Sequence, residues 1–169
     1  MEHCDECGFQ YDLAQASDAA AAILAGSTEF ATILSGGDAD VRTRRATTVW
    51  SPLEYGCHLR DMLLVQRERV LVARRRHRPS FDPMGRDERG DHDGYAHQEP
   101  ANVARQLTMA AQLFANDLER LGPNDWGRSV LYNYPHRAER SLRWVAIHTI
   151  HEVRHHLLDV RRQLVAQHD

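Results

Sequence analysis

Apolar residues recur along this chain at helical spacing in four long stretches, and no segment alternates convincingly with period two. The first stretch runs from about Ser17 to Ser35. Ser17 and Asp18 are its cap candidates, Ile23, Phe30, Ile33 and Leu34 fall at helical spacing, and Gly36-Gly37 stop it. The second opens at Ser51-Pro52-Leu53-Glu54: an N-cap serine, a proline at the first helical position, and a glutamate three residues after the cap. It continues through Leu59, Met62, Leu63, Arg67 and Val70 into Arg74-Arg75-Arg76. A third is expected from about Pro100 to Leu121, with Val103, Leu107, Ala110, Leu113, Phe114 and Leu118 inward and Gly122-Pro123 as terminator. After an irregular stretch from Trp126 to Arg140, Ser141 can cap a last helix reaching about Gln167, with Trp144, Ile147, Val153, Leu157, Val160 and Leu164 for packing.

Between the second and third stretches, residues 77–99 are polar and hold three Gly and two Pro. This crossover is longer than packing alone needs. Four helices and one long crossover between the second and third predict an all-α four-helix bundle over residues 13–169, preceded by a Cys-x-x-Cys segment at 1–12.

Length and charge narrow the picture. The 169 residues suffice for one domain with a real core. With 24 acidic against 21 basic residues the formal net charge is −3, so no basic field recruits nucleic acid. Every basic residue is Arg, and the absence of Lys removes Schiff-base chemistry and a Walker-A loop. No apolar run approaches a bilayer crossing, so no membrane partner is expected. The start MEHCDECGFQYD lacks the basic-then-apolar order of a secretory leader, and three Cys suit a reducing cytoplasm.

The chemistry is concentrated in 11 His. The last helix carries His148, His151, Glu152, His155 and His156 in one run. His151 and His155 lie one turn apart, offset by ~40° and ~6 Å along the axis, so two imidazoles can converge on one ion. His148 is ~10 Å from His155 along the axis, too far for all three to share a metal. The remaining ligand is expected from His58, the one other histidine within a helical core. Three neutral imidazoles with positions left open describe a catalytic divalent-metal site, with zinc first and nickel, iron or manganese as the other ions such ligands accept. His148 and His156 are expected to sit behind the ligands or at the surface.

HEVRH, at His151 to His155, also matches the H-E-x-x-H pattern of zinc peptidases, in which the glutamate is the general base. The extended metzincin form fails, with Leu158 where Gly should stand and Arg161 where His should stand. Peptidase activity is not expected, but Glu152 remains a candidate catalytic base.

The segments WSPLEYGCHLRD (Trp50 to Asp61), YAHQEP (Tyr95 to Pro100) and HEVRHHLLDV (His151 to Val160) resemble the DinB-like superfamily, particularly its short actinobacterial members that begin with C-x-E-C-G-F. The resemblance spans nearly the whole chain. It implies a four-helix bundle with a long crossover, and a divalent metal held by a histidine of the second helix and an H-x-x-x-H pair of the last, which correspond here to His58, His151 and His155. It also implies a thiol-dependent transferase or isomerase using mycothiol, bacillithiol or glutathione, with a metal-dependent hydrolase as the alternative.

Smaller signals remain. His3, Cys4 and Cys7 look like half of a zinc knuckle, to be closed by a residue such as His92 or His97 or by a second chain; a redox-prone tail is the other reading. Cys57 reads as a packed core thiol. The run Arg74 to Arg78 complements the negative end of the second helix or holds an acidic ligand. Tyr132, Asn133, Tyr134 and His136, with Asp87, Asp91 and Tyr95, are candidates for a pocket mouth. The sequence thus predicts a metal-binding enzyme with a small-molecule substrate, a low-molecular-weight thiol as co-substrate, and room for homodimerisation. A non-catalytic metal or ligand-binding module is the reading from a different class.

Overall fold

The structure is a computed structural model that describes residues 3–37, 40–134 and 136–165. Helix α1 (Ala19–Ser35) is entered through a 3-10 turn at Leu13–Asp18, so helical chain begins earlier than Ser17. Asp12 is the reason: its carboxylate accepts the Ala14 N–H at 3.0 Å and starts the turn. Helix α2 (Pro52–Arg75) begins with the capping box legible in the sequence. Ser51 Oγ accepts from the Glu54 N–H at 3.3 Å, and Glu54 Oε2 accepts from the Ser51 N–H at 2.8 Å. Burial alone would raise the Glu54 pKa, but the Arg44 guanidinium at 2.8 Å and the Ser51 N–H outweigh it and hold it below the usual carboxylate range.

The crossover is more structured than a loop. It contains a two-residue strand β1 (Ser80–Phe81), a short helix α3 (Arg86–His92) and a 3-10 turn at Tyr95–His97. Tyr95 is fully buried and donates its hydroxyl to Asp61 Oδ2 at 2.6 Å, pinning the crossover to α2. Helix α4 (Pro100–Glu119) follows, then strands β2 (Ser129–Asn133) and β3 (Arg137–Ser141), then α5 (Leu142–Val165). Ser141 Oγ accepts the Trp144 N–H at 3.2 Å, as expected of a cap, while the expected end at Gln167 lies outside the described residues.

The four-helix bundle is as expected, and three short strands that no period-two pattern announced are added to it. β2 and β3 pair antiparallel, with β1 parallel on the other edge of β2. In β2 the buried residues Val130 and Tyr132 do alternate, but Leu131 between them is also apolar and the strand is only five residues long, so the period is masked.

Helix α4 packs against α1 and α2, and α5 against the same two, giving the order α1, α4, α2, α5 around the bundle. The consecutive helices α1 and α2 therefore face each other diagonally across a core that includes Phe30, Leu53, Leu63, Leu107, Phe114, Leu142 and Val160. Helix α2 is thereby a direct neighbour of α5, which brings His58 to the histidine-bearing helix. Among the described residues no helix is long and apolar enough to cross a membrane.

Helices α1 and α5 meet closely at Gly26, where an added Cβ would lie 2.6 Å from Val153 Cγ1. Gly26→Ala gains about 0.5–1 kcal/mol of helix propensity. It also forces an overpacked contact that costs about 1–3 kcal/mol. The net expectation is a loss of stability, read as a lower thermal midpoint with unchanged helical content. Glu54→Gln removes a charge-assisted hydrogen bond and should cost about 2 kcal/mol at pH 7 in urea denaturation. Because the folded-state pKa of Glu54 is depressed, its contribution is full above the unfolded value of about 4.3 and fades as pH falls through the folded value, so the gap between the two proteins should close in acid.

Candidate metal centre

Six potential ligands crowd about three turns of α5: His148, His151, Glu152, His155, His156 and Asp159. They divide by helix face. Toward α2, Glu152 and His156 meet His58, one ligand atom of each lying within 4.8 Å of the others. Toward the amino-terminal segment, His151 and His155 meet Cys4 and Cys7 within the same limit. Two smaller clusters overlap these, His148 with His151 and Glu152, and His155 with His156 and Asp159.

Among the described residues, no such cluster joins His58 to His151 or His155. The triad expected from spacing is divided between two groups. The cause is rotation, since Glu152 and His156 lie ~100° around α5 from His151 and His155. The E-x-x-x-H pair has the same four-residue spacing as the H-x-x-x-H pair, shifted by one position, and it is this pair that stands with His58. His156 was the residue sequence reasoning set aside; its ring centroid is 5.1 Å from that of His58.

His58 is only 3% exposed, and its Nδ1 is buried without a hydrogen-bond partner among the described residues. Burial, then the neighbouring His156, pushes its pKa down to about 3, so the ring is neutral at physiological pH with a lone pair to give. His156 has Nδ1 at 3.2 Å from Asp159 Oδ2, while its Nε2 faces Glu152 Oε2 at 3.8 Å. A carboxylate behind the ring in this way fixes tautomer and orientation. Burial alone would raise the Glu152 pKa, but His151 Nδ1, at 3.1 Å from Oε1, and the surrounding imidazoles hold it well below the ordinary range. Trp50 covers His58 at 5.5 Å and Tyr55 stacks on His156 at 4.9 Å, walling the cluster with aromatic surface. Two imidazoles and one ionised carboxylate form a donor set that suits a divalent ion, and His58 brings an orphaned buried nitrogen that fits a ligand.

The remaining candidates separate clearly. Cys57 is 0% exposed against the Tyr95 carbonyl, and burial pushes its pKa up to about 12. His92 and His97 are exposed, His92 lies beside Asp93, and neither is clustered with the Cys pair. Arg74 faces Asp125 at 3.7 Å and Arg78 faces Glu139 at 2.6 Å. Asn133 donates to Ser80 Oγ and the Phe81 carbonyl and so secures β1; Asp87 and Asp91 are exposed.

Sequence reasoning missed Arg69. This buried guanidinium donates to Tyr132 Oη at 2.7 Å and to the Asp82 carbonyl at 2.5 Å. The available signal was an arginine three residues after Gln66 on the face that carries Met62 and Val70 inward. Arg69 borders an open groove of about 540 Å³, lined among others by Asp61, Val65, Phe81, Met84 and Arg89, which starts one turn of α2 beyond His58.

A four-helix bundle with metal-competent histidines facing each other from α2 and α5 defines a class of protein in which the helices serve as ligand platforms. A family profile described as the DinB superfamily matches residues 25–160, and the chain belongs to that superfamily. Among solved structures it is similar to YfiT from Bacillus subtilis, described as "a probable metal-dependent hydrolase with an unusual four-helix bundle topology". The two are 13% identical, with a TM-score of 0.72 over 87% of this chain and 86% of that chain, a likeness of fold. No curated protein matches the chain.

The burial of Cys57 has a direct readout. In the native protein its thiol should stay unmodified by iodoacetamide and react only on unfolding, as mapped by peptide mass spectrometry. Native labelling of Cys57 at the rate of an exposed thiol would contradict its placement in the core.

Proposed function

We propose that the chain is a divalent-metal-dependent enzyme acting on a small molecule, with the ion held by His58, Glu152 and His156. The observation that supports this most is the convergence of those three side chains, one of which, His58, has a buried nitrogen without a hydrogen-bond partner among the described residues. Such an ion supplies Lewis acidity, making a thiol or water nucleophilic at neutral pH and polarising an electrophile.

The protein's own groups divide the remaining work. His58 and His156 offer ring nitrogens, and Asp159 holds the His156 ring in place. Glu152 contributes the negative charge. Trp50 and Tyr55 limit water around the rings. The groove beside Asp61 is of a size suited to a small substrate, and Arg69 and Arg89 give it cationic groups for an anionic portion.

Thiol-dependent transfer is the reading we favour. Glu152, paired with His151 and facing His156, is engaged as a ligand and support rather than free as a general base. A thiol would need no protein base, because coordination would lower its pKa enough for its proton to pass to solvent. Hydrolysis is the second reading, favoured by the description of YfiT.

Protein purified without added metal should carry an ion that His58→Ala loses, together with turnover. Turnover on an electrophile panel that requires added mycothiol or another low-molecular-weight thiol supports transfer, and turnover with water alone supports hydrolysis. Undiminished turnover by a metal-free protein would overturn the metal reading altogether.

A further inference from the structure

The amino-terminal Cys pair plays no part in the proposed reaction, yet it is not a free tail. Residues 4–11 lie along α5: Phe9 packs on His151 at 5.5 Å, and Tyr11 stacks on Trp144 at 6.1 Å and bonds His148 Nδ1 at 3.0 Å. This brings the two cysteines onto a face of α5 that lies ~100° around the helix from the one His58 approaches. From this arrangement we infer that Cys4, Cys7, His151 and His155 form a second metal site, a closed Cys2His2 zinc site that clamps the amino-terminal segment to the last helix.

The geometry meets the requirements of tetrahedral zinc. Zn–S and Zn–N bonds of about 2.3 and 2.0 Å place ligand atoms about 3.5 Å apart. Cys4 Sγ and His155 Nδ1 are 3.8 Å apart, and all four residues have ligand atoms within 4.8 Å of one another. A tight turn presents the two sulfurs. Gly8 N–H bonds the Cys4 carbonyl at 2.8 Å, the Cys4 N–H bonds the Phe9 carbonyl at 2.9 Å, and Gly8 sits at φ +69°, which favours glycine.

Both imidazoles are prepared as well. His151 has Nδ1 on Glu152 at 3.1 Å, leaving Nε2 buried and without a hydrogen-bond partner among the described residues. His155 turns Nδ1 to Cys4 and has Nε2 facing Glu6 Oε2 at 3.3 Å and Asp159 Oδ2 at 3.6 Å. Each ring thus has a carboxylate on one nitrogen and the sulfur cluster on the other, the support seen behind metal-bound histidines. On binding, Cys4 and Cys7 release their thiol protons to solvent, the two rings donate as neutral bases, and two thiolates cancel the charge of the ion. Four protein ligands leave no open position, so this site is structural. It shares no ligand with the His58 site, though Glu152 supports the His151 ring from behind, and it takes no part in the proposed reaction.

Cobalt(II) substitution of the full chain tests the assignment, because a thiolate on cobalt gives an intense near-ultraviolet charge-transfer band. The wild type should bind two ions per chain and show the band. A Cys4→Ser/Cys7→Ser variant should bind one fewer ion and lose the band. His58→Ala should also bind one fewer but keep the band, and Cys57→Ser should bind both ions and keep it. Absence of the band in the wild type, its survival in the double variant, or isolation of Cys4 and Cys7 as a disulfide would overturn the inference. One ion per chain with the band intact in both wild type and His58→Ala would leave this site standing and overturn the His58 assignment. Should the double variant not fold, alkylation of wild-type Cys4 and Cys7 serves instead: zinc should slow it at least tenfold and a chelator restore it, whereas equal rates would overturn the inference.

Discussion

The Glu152 carboxylate organises the histidine-rich face of α5. It takes His151 Nδ1 at 3.1 Å and faces His156 Nε2 at 3.8 Å and His148 Nε2 at 3.9 Å. A largely buried carboxylate is costly to desolvate, and it persists here because imidazoles surround it. In return it directs them. By engaging Nδ1 of His151 it leaves Nε2 of that ring toward the cysteines, and by facing His156 it stands with the His58 group. One negative charge therefore belongs to both clusters, as a donor in one and as a support behind a ring in the other.

The bundle order makes this possible. With α2 and α5 as direct neighbours, a residue two turns into α2 reaches the middle of α5. The capping box at Ser51 and Glu54 fixes where that count of turns begins, and Arg44 holds Glu54 ionised for it. The Tyr95 to Asp61 hydrogen bond ties the crossover to the next turn of the same helix, so the chain that leaves α2 returns along it and lines the groove. The hairpin before α5 adds Tyr132, whose hydroxyl accepts from Gln66 and Arg69 and joins the sheet to α2.

The helices were legible because each has a strong start or stop: Ser51-Pro52-Leu53-Glu54, Pro100, Ser141 and the Gly36-Gly37 pair. The sheet was not, since its longest strands have five residues and Leu131 interrupts the alternation of Val130 and Tyr132. At the site, spacing pointed to His58 and to the last helix but could not set the rotation of that helix. Two pairs at i and i+4, one residue out of phase, present the same signal in sequence, and only the packing of α5 against α2 chooses between them. The Cys pair was readable as half of a knuckle, but its partners lie roughly 150 positions away, as the separation of Cys4 from His155 shows, and no local pattern connects them.

Donor chemistry gives the two faces different capacities. Two imidazoles and one carboxylate leave a divalent ion with a net positive charge and unfilled positions, which is what polarising a substrate requires. Two thiolates and two imidazoles neutralise the ion and fill its coordination, which suits holding chain segments together. Soft sulfur donors also select zinc more strongly than nitrogen and oxygen donors do, whereas the His58 group admits a wider range of first-row ions. A rotation of ~100° about a single helix axis is thus enough to separate a donor set suited to reaction from one suited to holding chain segments. The carboxylates of Glu152 and Asp159, each lying between the two faces, couple the ring orientations of one to those of the other.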